Sequence, residues 1–239
     1  MARVAFNPKY NKSEENKIER KQSSAVIHFT PETEKVNYIN GYKKAMSDKY
    51  SRNKNVISIE NKKKIEDSVD KLLREIKYES KTEYIDIIEI AHKLGFVIGN
   101  AVMDAQDDGF IIVEEGAYSI MGIKTDRLIG VNANRMREWK RFIIAHEIAH
   151  YMLQYKQGTT NEMYAHRVHK TGKNEKENEA DYYAAALLMP KERFITKYIE
   201  CRERESRYDR MVEQLASIFA VTKRMIERRI KELKLNECE

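Results

Sequence analysis

The sequence predicts an α+β fold that is mainly helical, with one small antiparallel β-sheet and a helix-turn-helix-like pair of helices at the C-terminus. Three patterns predict it. Apolar residues recur at helical spacing over most of the chain after residue 60, with charged residues on the opposite faces. Between residues 96 and 131 they form short runs separated by Gly, Asp and Asn, which is typical of strands and turns. Near the C-terminus, two amphipathic stretches flank a two-residue turn.

Size and composition favour a single hydrophobic core with an appendage. The chain of 239 residues is 41% hydrophobic, which is enough for one well-buried core. It has no apolar run near the length of a membrane-spanning helix, about 18 residues, and no N-terminal signal-peptide pattern. Its two cysteines, Cys201 and Cys238, are expected to be free thiols in a reducing compartment. These features predict a soluble cytoplasmic protein without a membrane partner.

Residues 1–59 are predicted to be a basic N-terminal extension that is partly disordered. The first 80 residues hold 18 Lys or Arg against 12 Asp or Glu, whereas the remaining residues hold 26 of each, so the net charge of +6 lies in the first part. Residues 1–24 are rich in Asn, Lys, Glu and Ser and are expected to be disordered or loosely held. A short strand at 25–29 and a helix at about 31–46 could follow. Such an arm could contact nucleic acid or an acidic partner, or only keep the chain soluble.

Residues 60–206 are predicted to form the central domain, which begins with two helices. The first, at 61–78, carries an apolar stripe with Lys and Glu on the other face. The second, at 84–94, ends at Gly95. Four apolar runs then predict the strands of the small sheet, at 96–98, 109–113, 118–121 and 128–131.

Helices return after the predicted sheet and continue to the end of the chain. Asn132-Ala133-Asn134 is expected to cap a long helix at 134–156. A second helix begins at Glu175, is rich in Ala and Leu, and stops at Met189-Pro190. The remaining helices are predicted at 191–202, 208–220 and 223–235, of which the last two make up the C-terminal domain, residues 207–239.

The long helix contains His146 and His150 four residues apart, with Glu147 directly after the first. Residues at this spacing share a helix face, so both imidazoles can bind one metal ion. Glu147 lies about 100° round the helix, where a general base can take a proton from a metal-bound water. The alternative is a pair of core histidines. With only 6 His in the chain, chance would rarely place two of them in this way around a Glu.

The helix that begins at Glu175 offers a third ligand, which zinc requires beyond two histidines. Glu177 and Asp181 share one face with small residues, so Glu177 could reach the metal while Asp181 accepts the spare N–H of a ligand histidine. Glu179 is the rival ligand, but it points about 200° away from Glu177. These glutamates could also be no more than a solvated acidic first turn.

At these two motifs the chain resembles the ImmA/IrrE-type metallo-endopeptidases. Their pattern R-x-x-x-A-H-E-x-x-H is matched by Arg141 to His150, and E-x-E-A-[ND]-x-x-A-A-x-L-L-M-P is matched by Glu177 to Pro190. The likeness extends over about 82–235. It implies a zincin-like metalloprotease core and a regulatory protease that cuts a phage-type helix-turn-helix repressor. The metzincin pattern does not fit, because its third His would fall at Lys156.

We therefore predict a zinc-dependent endopeptidase in which His146, His150 and Glu177 hold the metal and Glu147 is the general base. A donor to the transition state is also expected, with Tyr151, Tyr182 and His166 as candidates. The competing hypothesis is a DNA-binding regulator with a structural or sensory zinc site. Its second C-terminal helix would use the following cations for phosphates: Lys223, Arg224, Arg228, Arg229 and Lys231. In the family that the chain resembles, these helices pack on the catalytic core.

Overall fold

The fold is α+β, as the sequence predicts. The computed structural model describes residues 3–4, 57–80, 82–104, 108–120, 123–156, 163–164 and 175–235. These residues form seven α-helices and a five-stranded sheet. The strand and helix predicted near residues 25–29 and 31–46 lie outside the described ranges, as do His166 and Cys238. Across the described residues, no helix combines the length and the apolar character needed to cross a membrane.

All of the predicted helices after residue 60 are present, with small shifts at their ends. Their first turns explain several of these shifts. The side chain of Ser58 accepts a hydrogen bond from the Asn61 N–H at 3.1 Å, and Asp86 caps the next helix through two N–H groups. The helices are α1 Ile59–Glu75, α2 Ile87–Lys93, α3 Arg137–His150, α4 Glu175–Leu188, α5 Lys191–Arg204, α6 Tyr208–Phe219 and α7 Lys223–Glu232.

The sheet is mixed, so the prediction of a purely antiparallel sheet was wrong. Its order is β1-β2-β4-β3-β5, and β4 pairs antiparallel with β3 but parallel with β2. Two runs that were predicted as separate strands form the single strand β3, with a register shift between Val113 and Tyr118. The strands are β1 Arg3–Val4, β2 Val97–Val102, β3 Gly109–Ile120, β4 Ile123–Asn132 and β5 Met163–Tyr164. Because β1 pairs with β2, the expectation that residues 1–24 are disordered or loosely held was wrong for Arg3 and Val4.

The predicted cap of the long helix was also wrong. Helix α3 begins at Arg137, after Met136, whose side chain makes no capping hydrogen bond. Asn132 is instead fully buried at the end of β4, where its side chain accepts the Asn134 N–H and donates to the carbonyl of Asp104. An Asn side chain can satisfy nearby backbone groups in a turn as well as at a helix start, and here the turn uses it.

Helix α3 is the centre of the core. Every residue from Arg141 to His150 is buried, and the helix packs between α4 and the sheet. On the sheet side the approach is close, because a Cβ added at Gly109 would collide with the side chain of Ile143. On the other side α4 is buried from Ala180 to Leu188 and presents several alanines. Small residues on both sides hold the histidine-bearing helix close to its neighbours.

The C-terminal pair α6–α7 packs against the rest of the helices through a buried arginine. The chain turns between the two helices at Ala220, which is in the left-handed region with φ of 49°. Arg229 on α7 is 0% exposed. Its guanidinium donates to both carboxylate oxygens of Glu66 on α1, at 2.8 and 3.0 Å, and to the carbonyl of Met189 after α4 at 3.1 Å. This two-point contact fixes the position of α7 relative to α1 and α4.

Candidate metal centre

Helices α3 and α4 bring His146, His150 and Glu177 together in a buried site. The Nε2 atoms of the two histidines lie 3.0 Å apart. Glu177 Oε2 lies 3.2 Å from His146 Nε2, and Glu177 Oε1 lies 3.3 Å from His150 Nε2. One nitrogen of each imidazole and one oxygen of the carboxylate therefore form a small triangle, in which all three atoms lie within 4.8 Å of one another.

This triangle fits a tetrahedral metal ion. Two ligand atoms about 2.1 Å from a tetrahedral zinc lie about 3.4 Å from each other. This is close to the 3.0 to 3.3 Å that separates ligand atoms in each pair of the three residues. The charges fit as well, because Glu147, Glu177 and Asp181 are all buried here. Buried carboxylates are costly unless a cation offsets them. His146, His150 and Glu177 could hold a divalent ion of the kind that prefers nitrogen and carboxylate ligands.

The structure places Glu177 in this group and directs Glu179 elsewhere. Glu177 is only 8% exposed, so the interpretation as a solvated acidic turn fails for it. The carboxylate of Glu179 accepts a hydrogen bond from Asn61 Nδ2 on α1 at 3.0 Å. Burial raises the pKa of Glu179, and its neighbour Glu175 adds to the rise. The difference of about 200° between the two glutamates on the helix thus sends one to the histidines and the other to α1.

Both histidines are also contacted at their second ring nitrogen. Asp181 Oδ1 lies 3.0 Å from His146 Nδ1, in the position that the sequence predicts for it. The side-chain amide of Gln154 lies 3.0 Å from His150 Nδ1. A partner at Nδ1 fixes the ring orientation and leaves Nε2 to a metal. Both rings are therefore held with Nε2 toward the same point.

Gln154 was missed by the sequence analysis, although a signal for it existed. It follows His150 by four residues and so lies near it on the helix face. Here α3 passes into a π-helical turn, Tyr151–Tyr155, in which the Lys156 N–H donates to the Tyr151 carbonyl at 2.9 Å. Turns of this kind are frequent at functional sites.

The remaining site residues are placed less directly. Glu147 is 0% exposed, within α3 directly after His146. The hydroxyl of Tyr182 donates to Glu66 Oε1 at 2.8 Å, so this candidate donor to the transition state is engaged in the contact between α1 and α7. Tyr151 packs edge-on against Phe96. His166 lies outside the described residues, and the identity of the donor stays a prediction.

Replacing Asp181 by Ala is expected to weaken zinc binding by roughly 10–100-fold, because the His146 ring then loses the partner that orients it. Zinc affinity can be measured by competition with a chromophoric chelator. Glu179→Ala is the matched control, since it removes a carboxylate from the same helix without touching either histidine. Wild-type affinity in Asp181→Ala would exclude Asp181 from the metal centre.

Comparison with known proteins agrees with the two motifs. A family model described as the IrrE N-terminal-like domain matches residues 102–231, which include the complete candidate site. No curated protein matches the chain. Among solved structures, a Mycobacterium tuberculosis transcriptional regulator is similar, with 17% sequence identity and a TM-score of 0.45 over 80% of this chain. The match spans only 51% of that regulator's chain. Since the family model covers more than half of the sequence, this protein belongs to the peptidase family of the IrrE N-terminal-like domain.

Proposed function

We propose that this protein is a zinc-dependent endopeptidase that cleaves a phage-type helix-turn-helix repressor. The observation that carries the proposal is the buried triangle of ligand atoms from His146, His150 and Glu177, in which each pair of residues has ligand atoms 3.0 to 3.3 Å apart. The residue after the first histidine is a buried glutamate, Glu147. A three-residue ligand set with a neighbouring carboxylate is the arrangement of hydrolytic zinc sites, which keep one position open.

In this proposal each residue has one task. Zinc, when bound, would lower the pKa of a water molecule toward about 7 and polarise the peptide carbonyl. Glu147 accepts the proton of the attacking water and later delivers a proton to the leaving nitrogen. Asp181 and Gln154 hold the two imidazoles by their Nδ1 atoms. The burial of Glu147 excludes bulk water from this carboxylate, so that its proton transfers are confined to the site.

The substrate class in the proposal comes from the resemblance to the ImmA/IrrE-type endopeptidases. A repressor of this class acts on DNA inside the cell, which agrees with the expected cytoplasmic location. The sheet offers main-chain groups to which an extended segment of a protein substrate could add as a further strand.

The competing hypothesis, a DNA-binding regulator, is less well supported by α7. Three of the five cations that were expected to contact phosphates have carboxylate partners within the chain. Lys223 Nζ lies 2.8 Å from Glu213, Arg228 contacts Asp181 at 3.2 Å, and the buried Arg229 binds Glu66. A phosphate would have to displace these contacts, and Arg229 cannot reach one from the core. Among the cations of the N-terminal extension the structure describes Arg3 alone, so nucleic-acid contact through this extension stays a prediction.

The test is a cleavage assay with a helix-turn-helix repressor, taken from a neighbouring gene if one of them encodes such a protein. The purified protein should contain about one zinc per chain, because one three-ligand set is present. It should cut the repressor at one site that mass spectrometry can map. A zinc chelator should stop cleavage and added zinc should restore it. Cleavage that continues without metal would overturn the zinc mechanism. A zinc-loaded protein that leaves the repressor intact would overturn the proposal that a repressor is the substrate.

A further inference from the structure

Helix α7 reaches the candidate metal centre through Arg228. We propose that Arg228 is a positioning residue of this centre, which holds Asp181 in place and through it the ring of His146. The inference rests on the proposed zinc site. It gives the C-terminal helix a role in metal binding that neither DNA contact nor simple packing would provide.

Three contacts in series carry the proposal. Asp181 Oδ1 lies 3.0 Å from His146 Nδ1. The other oxygen of the same carboxylate, Oδ2, accepts a hydrogen bond from Arg228 Nη1 at 3.2 Å. Arg228 Nε in turn donates to Glu232 Oε1 at 2.8 Å. Rotation of the Asp181 carboxylate would break its contacts to both the histidine and the arginine.

The chemistry of the guanidinium suits this position. It is planar and carries N–H groups that point in fixed directions, so one group can bind two carboxylates at a set angle. Asp181 and Glu232 use different nitrogens of Arg228. Because Glu232 lies one turn further along α7, the direction of the arginine is set by its own helix.

The helix that carries Arg228 is itself fixed. The next residue, Arg229, is fully buried and binds Glu66 on α1 and the carbonyl of Met189 after α4. Movement of α7 along or away from α4 would therefore break buried, charge-assisted hydrogen bonds. The side chain of Arg228 thus reaches Asp181 from a rigid support, which a positioning residue requires.

The sign of the effect on zinc affinity separates positioning from a mere charge effect. A positive charge near the centre repels a metal cation, so removing Arg228 should tighten zinc binding if only charge matters. If Arg228 orients Asp181, its removal should loosen zinc binding, because His146 then samples orientations that cannot bind metal. The two roles predict changes in opposite directions.

The experiment compares the zinc affinity of Arg228→Met with that of the wild type by chelator competition. We expect binding to weaken by about three- to tenfold, at or below the lower end of the effect of a direct partner of a ligand. Lys223→Met is the control, because it removes the same charge from the same helix at a side chain that is 57% exposed and pairs with Glu213. It should leave zinc affinity unchanged or slightly tighter. Unchanged or tighter binding in Arg228→Met would overturn the proposal.

A double-mutant cycle tests the route through Asp181. In an Asp181→Ala background, Arg228→Met should cause no further loosening, since its target is gone. An additive loss would overturn the proposed series of contacts. The side chain of Arg228 is 44% exposed, so the variant should fold, and the melting temperature of the zinc-free protein checks this. If it does not fold, Arg228→Lys keeps the positive charge but loses the planar guanidinium, so positioning predicts looser zinc binding and charge alone predicts wild-type affinity. Wild-type affinity in Arg228→Lys would then overturn the proposal.

Failure of this inference can be told apart from failure of the proposed function. A wild-type protein that does not bind zinc would overturn the zinc site itself. A wild-type protein that binds zinc tightly, together with an Arg228→Met variant that binds it equally well, would overturn only the role of Arg228.

Discussion

Replacing Glu147 by Gln is expected to reduce the rate of repressor cleavage by about 10²–10⁴-fold while zinc content stays at the wild-type level. Glutamine has the same shape but cannot accept the proton of the attacking water. Glu147 is not one of the three residues whose ligand atoms form the triangle, so the metal should remain. It is fully buried, which makes an isosteric change preferable to alanine. The measurements are the single-turnover cleavage rate and the zinc content of the same preparation.

In cells the same variant separates the two hypotheses of function. If the protein is a protease, the regulated genes should stay repressed in cells that carry Glu147→Gln. If it is a DNA-binding regulator, Glu147→Gln should behave as wild type, and replacing Lys223 and Arg224 by Ala should abolish regulation. DNA affinity should then also fall steeply with salt. Arg228 is left out of this comparison because it contacts Asp181. Wild-type signalling from a zinc-loaded Glu147→Gln protein would exclude the protease.

The grouping of the candidate metal ligands could be predicted from the sequence because helix geometry leaves few choices. Two residues four apart on a helix must share a face, which puts His146 and His150 together wherever the helix lies. The same geometry separates Glu177 from Glu179, and the contact of Glu179 with Asn61 shows the result. Both inferences need only that the segments are helical, and the apolar spacing and the stop at Met189-Pro190 are strong signals of that.

The direction of the strands could not be predicted in the same way. A short apolar run indicates a buried strand, but it does not tell which strand lies beside it. The parallel pair β2–β4 arises because β3, which lies between them in sequence, pairs on the far side of β4. The prediction of the cap of α3 was wrong for a related reason, because the Asn132 side chain can satisfy backbone groups equally well in a turn.

Arg228 escaped prediction because its role depends on the tertiary fold. It lies 47 residues from Asp181 in sequence, and no spacing rule connects an arginine on α7 with a carboxylate on α4. In the sequence it belongs to a run of cations that is equally typical of a helix that contacts phosphates. Only the packing of α7 against α1 and α4 shows that this cation contacts Asp181 and that its neighbour Arg229 is buried against Glu66.

The second large effect is expected at Glu177, the proposed third ligand of the metal. Replacing Glu177 by Ala should weaken zinc binding by more than about 100-fold, beyond the 10–100-fold typical of residues that only contact a ligand. Two histidines alone leave zinc under-coordinated, so most of the metal should be lost during gel filtration. His146→Ala and His150→Ala should empty the site in the same way. Elemental analysis of each purified variant, followed by chelator competition, gives the measurement.

Glu179→Ala is the matched control for Glu177→Ala, because both changes remove one carboxylate from the first turns of α4. Glu179 contacts Asn61 instead of the histidines, so this variant should bind zinc as tightly as the wild type. Its melting temperature without zinc reports any loss from the contact with α1. The reverse outcome, with zinc retained in Glu177→Ala and lost in Glu179→Ala, would show that the ligand set is wrong. The two glutamates lie two residues apart on α4, and both are replaced by Ala, so the change in charge and in helix propensity is nearly the same in the two variants. A difference in zinc affinity between them would therefore come from the different directions of the two carboxylates.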